Sequence, residues 1–155
     1  MNAYLHRSED RGHVKAGWLE SYHSFSFGNW YNPKYMGVSA LRVINDDQID
    51  AHNGFGTHSH DNMEILTCVL DGAISHRDTM GNEGQIKAGE WQLMSAGTGV
   101  AHSEINNTDT PVHLLQIWII PDVKEAEPNY QQIKRCCLDN NLYSNILFGV
   151  KGIIN

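Results

Sequence analysis

Two short pairs of residues are equipped to do chemistry. His58-Ser59-His60 sets two imidazoles at i and i+2, and His102-Ser103-Glu104 repeats the spacing with one imidazole and one carboxylate. In an extended strand, residues two apart point to the same face. If the two segments are neighbouring strands facing inward, three imidazole nitrogens and one carboxylate oxygen converge from two rigid elements. That donor set suits a borderline divalent ion such as Fe(II), Mn(II), Co(II), Ni(II), Cu(II) or Zn(II). Four protein ligands on an ion that accepts six leave positions for water, a substrate or dioxygen. A single His-x-His is a weak signal, because separate polar residues near loops produce it by chance. Two such pairs, flanked by Gly54, Gly56 and Gly72 and by Gly89, Gly97 and Gly99, are a stronger one.

The other histidines lack such partners. His23 lies among aromatic residues and reads as packed core. His76 and His113 fall in strand-like stretches and can point either way. His6, His13 and His52 read as surface or loop residues. Trp18, Trp30, Trp91 and Trp118, with Phe25 and Phe27, are expected to fill the core or line a pocket.

The elements that must position these pairs are short strands. Ser39 to Ile44 reads as a strand followed by a turn at Asn45-Asp46-Asp47. Glu64 to Leu70 is a strand ended by Asp71-Gly72, a hairpin signal, with Ala73 to Asp78 as its return. Turns follow at Gly81-Asn82-Glu83-Gly84 and Ala88-Gly89-Glu90. Trp91 to Met94 is a strand before the Gly-rich loop Ser95 to Gly99, and Val112 to Ile120 is a long strand closed by Pro121. Many short strands with frequent turns and no long amphipathic helix before residue 121 imply an all-β sandwich or barrel. Beyond it, residues 122–132 read as an acidic linker, and 133–155 as a tail with a short helix and an apolar end.

The 155 residues suffice for one domain, and 41% hydrophobic with 19% charged residues is a globular composition. A net charge of −7 argues against a protein that grips phosphate backbones directly. No apolar run is long enough to cross a bilayer, and the first ten residues lack a signal-peptide core, so a cytoplasmic protein is expected. Cys68 reads as a small core residue. Cys136 and Cys137 are adjacent, so a bridge between them would be strained.

The segment Gly54 to Glu64, reaching Gly72, resembles the first cupin motif. Gly89 to Asn106, with Gly97-Thr-Gly99-Val-Ala-His102-Ser-Glu104, resembles the second in the form found in pirins. Gly17-Trp18-Leu19, His23-Ser24-Phe25-Ser26-Phe27, Leu41 to Asp47 and Gln116-Ile117-Trp118-Ile119 agree with it. Over about residues 4–132 the chain is similar to the N-terminal domain of bacterial pirin-like proteins described as quercetin 2,3-dioxygenases. The resemblance implies a single cupin jelly-roll domain over residues 1–121, with no second pirin domain expected after it. It also implies one divalent metal, iron first among the candidates, held by His58, His60, His102 and Glu104. Ordinary cupins take their carboxylate ligand from the position of Glu64. That residue is therefore the alternative ligand, or a partner behind the ligands, and alternation is expected to face it inward as well.

The implied activity is oxidative ring opening of a flavonol by dioxygen, with Glu104 as the base that takes the substrate's hydroxyl proton. The competing expectation is a non-catalytic metal-binding regulatory module acting through a protein partner. A surface normally covered by a second domain implies self-association.

Overall fold

A computed structural model describes residues 6–134. Among them there is no α-helix, only a 3₁₀ turn at Ser8–Asp10. The strands are β1 (Gly12–Ala16), β2 (Leu19–His23), β3 (Leu41–Ile49), β4 (Gly54–His60), β5 (Glu64–Asp71), β6 (Ala73–Asp78), β7 (Glu83–Lys87), β8 (Trp91–Ser95), β9 (Val100–Ile105), β10 (Val112–Ile119) and β11 (Asn129–Ile133). They form two antiparallel sheets, one ordered β1-β2-β3-β10-β5-β8-β11 and the other β4-β9-β6-β7. This is the expected all-β cupin jelly roll, with the sheets facing one another and no ladder joining them among the described residues. No helix among those residues is long and apolar enough to cross a membrane.

The inner faces pack in three layers. At one end Ile49, Val69, Val112 and Leu114 of the large sheet meet Ile74 and Ile86 of the small one. At the other, Ile65 and Met94 meet Val100, with Trp118 against them. Each fully buried aliphatic side chain contributes about 1.5–3 kcal/mol. Between these apolar ends runs a polar belt. Strand register aligns His23, Asn45, Gln116, Thr67 and Gln92 across β2, β3, β10, β5 and β8, and all five are buried. The apolar layers shield this belt from water, which strengthens its hydrogen bonds and makes any unpaired member costly.

Three expectations are corrected here. Asn45-Asp46-Asp47 is the middle of β3, not a turn. Asn45 and Asp47 face inward, and Asp47 accepts from the Ser21 hydroxyl. Asp46 faces the other way, to Arg11 at 3.0 Å and His113 at 2.7 Å. Strand pairing on both sides and these contacts override the local turn preference of Asn and Asp. The linker read over 122–132 ends in a strand, because Asn129–Ile133 pairs with β8. The third concerns Glu64. On β5 the inward residues are Ile65, Thr67 and Val69, so Glu64 faces away from the small sheet and accepts from Ser95 Oγ at 2.5 Å. The helix and apolar end expected in the tail, and Cys136 and Cys137, lie outside the described residues.

Candidate metal centre

The small sheet brings the two pairs together. His58 on β4 stands directly opposite His102 on β9, with Phe55 opposite Glu104. Between those two pairings β4 advances three residues while β9 advances two, so β4 carries a bulge. The extra residue resets the alternation, and Phe55, His58 and His60 all face inward. Gly54 makes the close strand approach possible, since a Cβ there would meet the carbonyl oxygen of Glu104.

The ligand atoms of His58, His60 and His102 all lie within 4.8 Å of one another. Their ring centroids are 4.5–5.1 Å apart. Nδ1 of His58 lies 2.8 Å from the carbonyl oxygen of Gly56. A carbonyl can only accept, so Nδ1 carries the proton and Nε2 keeps its lone pair. Nε2 of His60 and Nε2 of His102 are buried and have no hydrogen-bond partner. Burial, reinforced by the neighbouring His58, pushes His60 down to about 4. Burial, then His58 and His60, pushes His102 down to about 3. At neutral pH His60 and His102 are therefore uncharged, and their unpartnered Nε2 atoms lie buried within the cluster. Orphaned buried nitrogens on neutral imidazoles are what a divalent cation would satisfy.

Glu104 is on the same inward face of β9 and is 2% exposed. It stands outside the compact three-imidazole set, because the opposite sheet holds it. Gln116 Nε2 donates to Oε2 at 2.6 Å and Thr67 Oγ1 donates to Oε1 at 3.3 Å. Burial pushes its carboxyl up, opposed chiefly by the hydrogen bond from Gln116. Asp47, also in the interior, is pushed up to about 7 by burial, against the bond from Ser21 and with the charge of Glu104 adding to the rise.

His76, whose orientation the sequence alone leaves open, and Asp78, which it does not single out, are both on β6 and buried beside the site. His76 Nδ1 lies 3.5 Å from Nδ1 of His102 and 3.0 Å from Nε2 of Gln92, and His76 Nε2 lies 2.9 Å from Oδ2 of Asp78. The signal was present, because His76-Arg77-Asp78 is a third i, i+2 pair on a strand. Of the other histidines, His23 is buried core, as expected. His113 contacts Asp46, His13 contacts Glu20 and His52 contacts Asp109, all away from the cluster.

A sequence model of the pirin family matches residues 5–119. The chain is 57% identical over 130 residues to the quercetin 2,3-dioxygenase of Escherichia coli, a match covering 83% of this chain and 56% of that protein. It superposes with a TM-score of 0.83 and 54% identity on the crystal structure of the bacterial pirin YhhW from Escherichia coli in complex with nickel(II). That match covers 86% of this chain and 58% of the other. A quercetin 2,3-dioxygenase from Acinetobacter baumannii, at 22% identity and a TM-score of 0.66, covers 80% of this chain and 42% of the other and shows the shared fold alone. The chain thus spans about half the length of the curated relatives it matches.

Proposed function

The chain belongs to the pirin family, and from that premise we propose that it is a metal-dependent dioxygenase domain acting on a flavonol, as its relatives' name, quercetin 2,3-dioxygenase, suggests. His58, His60 and His102 would hold one divalent transition metal, with Glu104 as the fourth ligand. The observation that carries this reading is the meeting of three imidazoles with two buried, unpartnered Nε2 atoms. Three nitrogens and one oxygen accept several first-row ions, iron(II) and nickel(II) among them. When bound, such an ion supplies Lewis acidity toward a phenolic hydroxyl and a means of activating dioxygen.

The chain's own residues account for the rest. His60 and His102 are uncharged at neutral pH, so they need not shed protons to bind a cation. Glu104 has an increased proton affinity, which suits it to take the proton of a phenolic hydroxyl brought within reach. Gln116 and Thr67 hold the carboxylate in place while it does so. Trp118 packs edge-on against His60 at 4.8 Å, and beside it opens a cleft of about 370 Å³ lined by Phe27, Trp30, Tyr31, Arg42 and Met63. The cleft adjoins the imidazoles through Trp118, and its aromatic walls favour a flat aromatic substrate.

The test is metal content by elemental analysis on untagged protein and on a His58→Ala/Glu104→Ala variant, followed by quercetin turnover with detection of carbon monoxide. About one transition metal per chain, lost in the variant, with metal-dependent turnover is the expected result. Negligible metal in both proteins after incubation with Fe(II), Mn(II) and Ni(II) would end the metal reading. Stoichiometric metal without turnover would end the dioxygenase reading and leave a binding module.

A further inference from the structure

The hydrogen bonds behind His102 form a single chain that starts at a carboxylate and ends at the lone pair facing the other two imidazoles. Asp78 is fixed first. Its Oδ1 accepts from the backbone N–H groups of Met80 and Asn82 at 2.9 and 3.0 Å, and Asn82 Nδ2 donates to both oxygens. The β6–β7 turn thus grips the carboxylate and leaves Oδ2 aimed at His76. Surrounded by these N–H donors, the Asp78 carboxylate acts toward His76 as an acceptor.

Each later proton position follows from that one. Asp78 can only accept, so His76 carries its proton on Nε2, 2.9 Å away. His76 Nδ1 is then a lone pair, and Gln92 Nε2 donates to it at 3.0 Å. His102 Nδ1, 3.5 Å from the same atom, is left as the donor. A neutral His102 with its proton on Nδ1 presents its lone pair on Nε2, the buried atom that lacks any partner and faces His58 and His60. The ring of His76 is also packed on one face, since Tyr130 of β11 stacks on it at 4.8 Å. His58 has its tautomer set by the carbonyl of Gly56 alone, whereas His102 has its tautomer set by a buried relay of two side chains.

We propose that His76 and Asp78 are positioning residues that impose the Nδ1–H tautomer and the ring orientation of His102, and thereby make it a metal ligand. This inference rests on the metal reading of the site. The relay acts through His102. Outer partners of this kind typically change metal affinity by 10–100-fold. It also gives the segment 129–133 a role, because Tyr130 closes the relay from the far side of β8.

The test measures Ni(II) and Co(II) dissociation constants by chelator competition, with the visible spectrum of the Co(II)-loaded protein. The proteins are wild type, His58→Ala, His76→Phe, His76→Asn and Asp78→Asn. His76→Phe removes the acceptor and is expected to weaken binding by about 10–100-fold and to alter the Co(II) spectrum at saturation. His76→Asn places an oxygen where Nδ1 stood, so it should recover a large part of that loss. Asp78→Asn lets the side chain donate toward His76 Nε2, favouring the opposite tautomer, and should weaken binding without a gross change in circular dichroism. A purely structural role would lower the melting temperature but leave the spectrum of the saturated protein unchanged, and that result overturns the proposal. So does a folded His76→Phe with wild-type affinity and spectrum; if that variant fails to fold, Asp78→Asn decides by the same criterion. Wild type that takes up no more metal than His58→Ala overturns the metal site and this inference together. Wild type that binds, with both relay variants indistinguishable from it, overturns this inference alone.

Discussion

Gln116 of the large sheet donates a 2.6 Å hydrogen bond to Glu104 of the small sheet, tying the two layers at the middle of the molecule. The same Gln116 accepts from Trp118 Nε1 at 3.2 Å, so one amide couples the buried carboxylate to the aromatic ring that packs on His60. Gln116→Leu would leave Glu104 with the Thr67 hydroxyl as its side-chain donor among the described residues. The expected loss is about 1–3 kcal/mol in a denaturant titration of the metal-free protein. It should be larger at pH 8 than at pH 5, because the unpaired group is costlier as a carboxylate. An unchanged midpoint at both pH values would show that the bond contributes nothing net.

Asp47 offers a cleaner pH experiment. Its carboxyl is pushed up to about 7, above its unfolded value near 3.8. Between those values the folded state holds a proton that the unfolded state has released. Stability from this group therefore falls as pH rises from about 4 to about 7, and the penalty is complete above it. Asp47→Asn keeps an acceptor for the Ser21 hydroxyl and removes the titration. The variant is expected to gain roughly 1–2 kcal/mol relative to wild type on going from pH 5 to pH 8, read as a difference of several degrees in Tm. A pH-independent difference would contradict the assignment.

His60 and His102 act in the opposite sense. Their folded values, about 4 and about 3, lie below the unfolded value of 6.5. As pH falls below about 6.5 the unfolded chain takes up protons that the folded chain refuses. The metal-free protein therefore loses stability from about pH 6.5 down to about 4 for His60, and down to about 3 for His102. A His60→Gln/His102→Gln variant should show a flatter acid limb in urea titrations between pH 4 and 7. An acid limb as steep as that of wild type would mean that other groups dominate it.

Gly54 controls the register that puts His58 opposite His102. A methyl group there would press on the carbonyl of Glu104 and on Ile105. Gly54→Ala is expected to cost about 1–3 kcal/mol and to weaken Ni(II) binding by displacing β4 from β9. Gly56 has open space around its Cβ position and a φ outside the left-handed region. Gly56→Ala should therefore be nearly neutral for stability and is the control. Equal effects of the two substitutions, measured by Tm and by metal titration, would rule out the crowding argument.

The local pattern determined a good deal. The alternation of a strand suffices to place His58 with His60 and His102 with Glu104 on shared faces, because two residues apart is one pleat repeat whatever the rest of the chain does. Turn chemistry likewise marked Asp71-Gly72 and the hairpin between β5 and β6, and the spacing of short apolar runs was enough for an all-β sandwich or barrel. What depended on contacts distant in sequence was decided only in three dimensions. Asn45 to Asp47 looked like a turn and became strand because β2 and β10 pair with it from both sides. Glu64 has the alternation of an inward residue only until the sheet's packing shows that Ile65 and Thr67 own that face. The one-residue bulge in β4, the polar belt and the Asp78–His76–His102 relay each need two or more strands in register. Which residues share a strand face is a property of the chain's own pleat, but which face is buried, and against what, is fixed by the partner sheet.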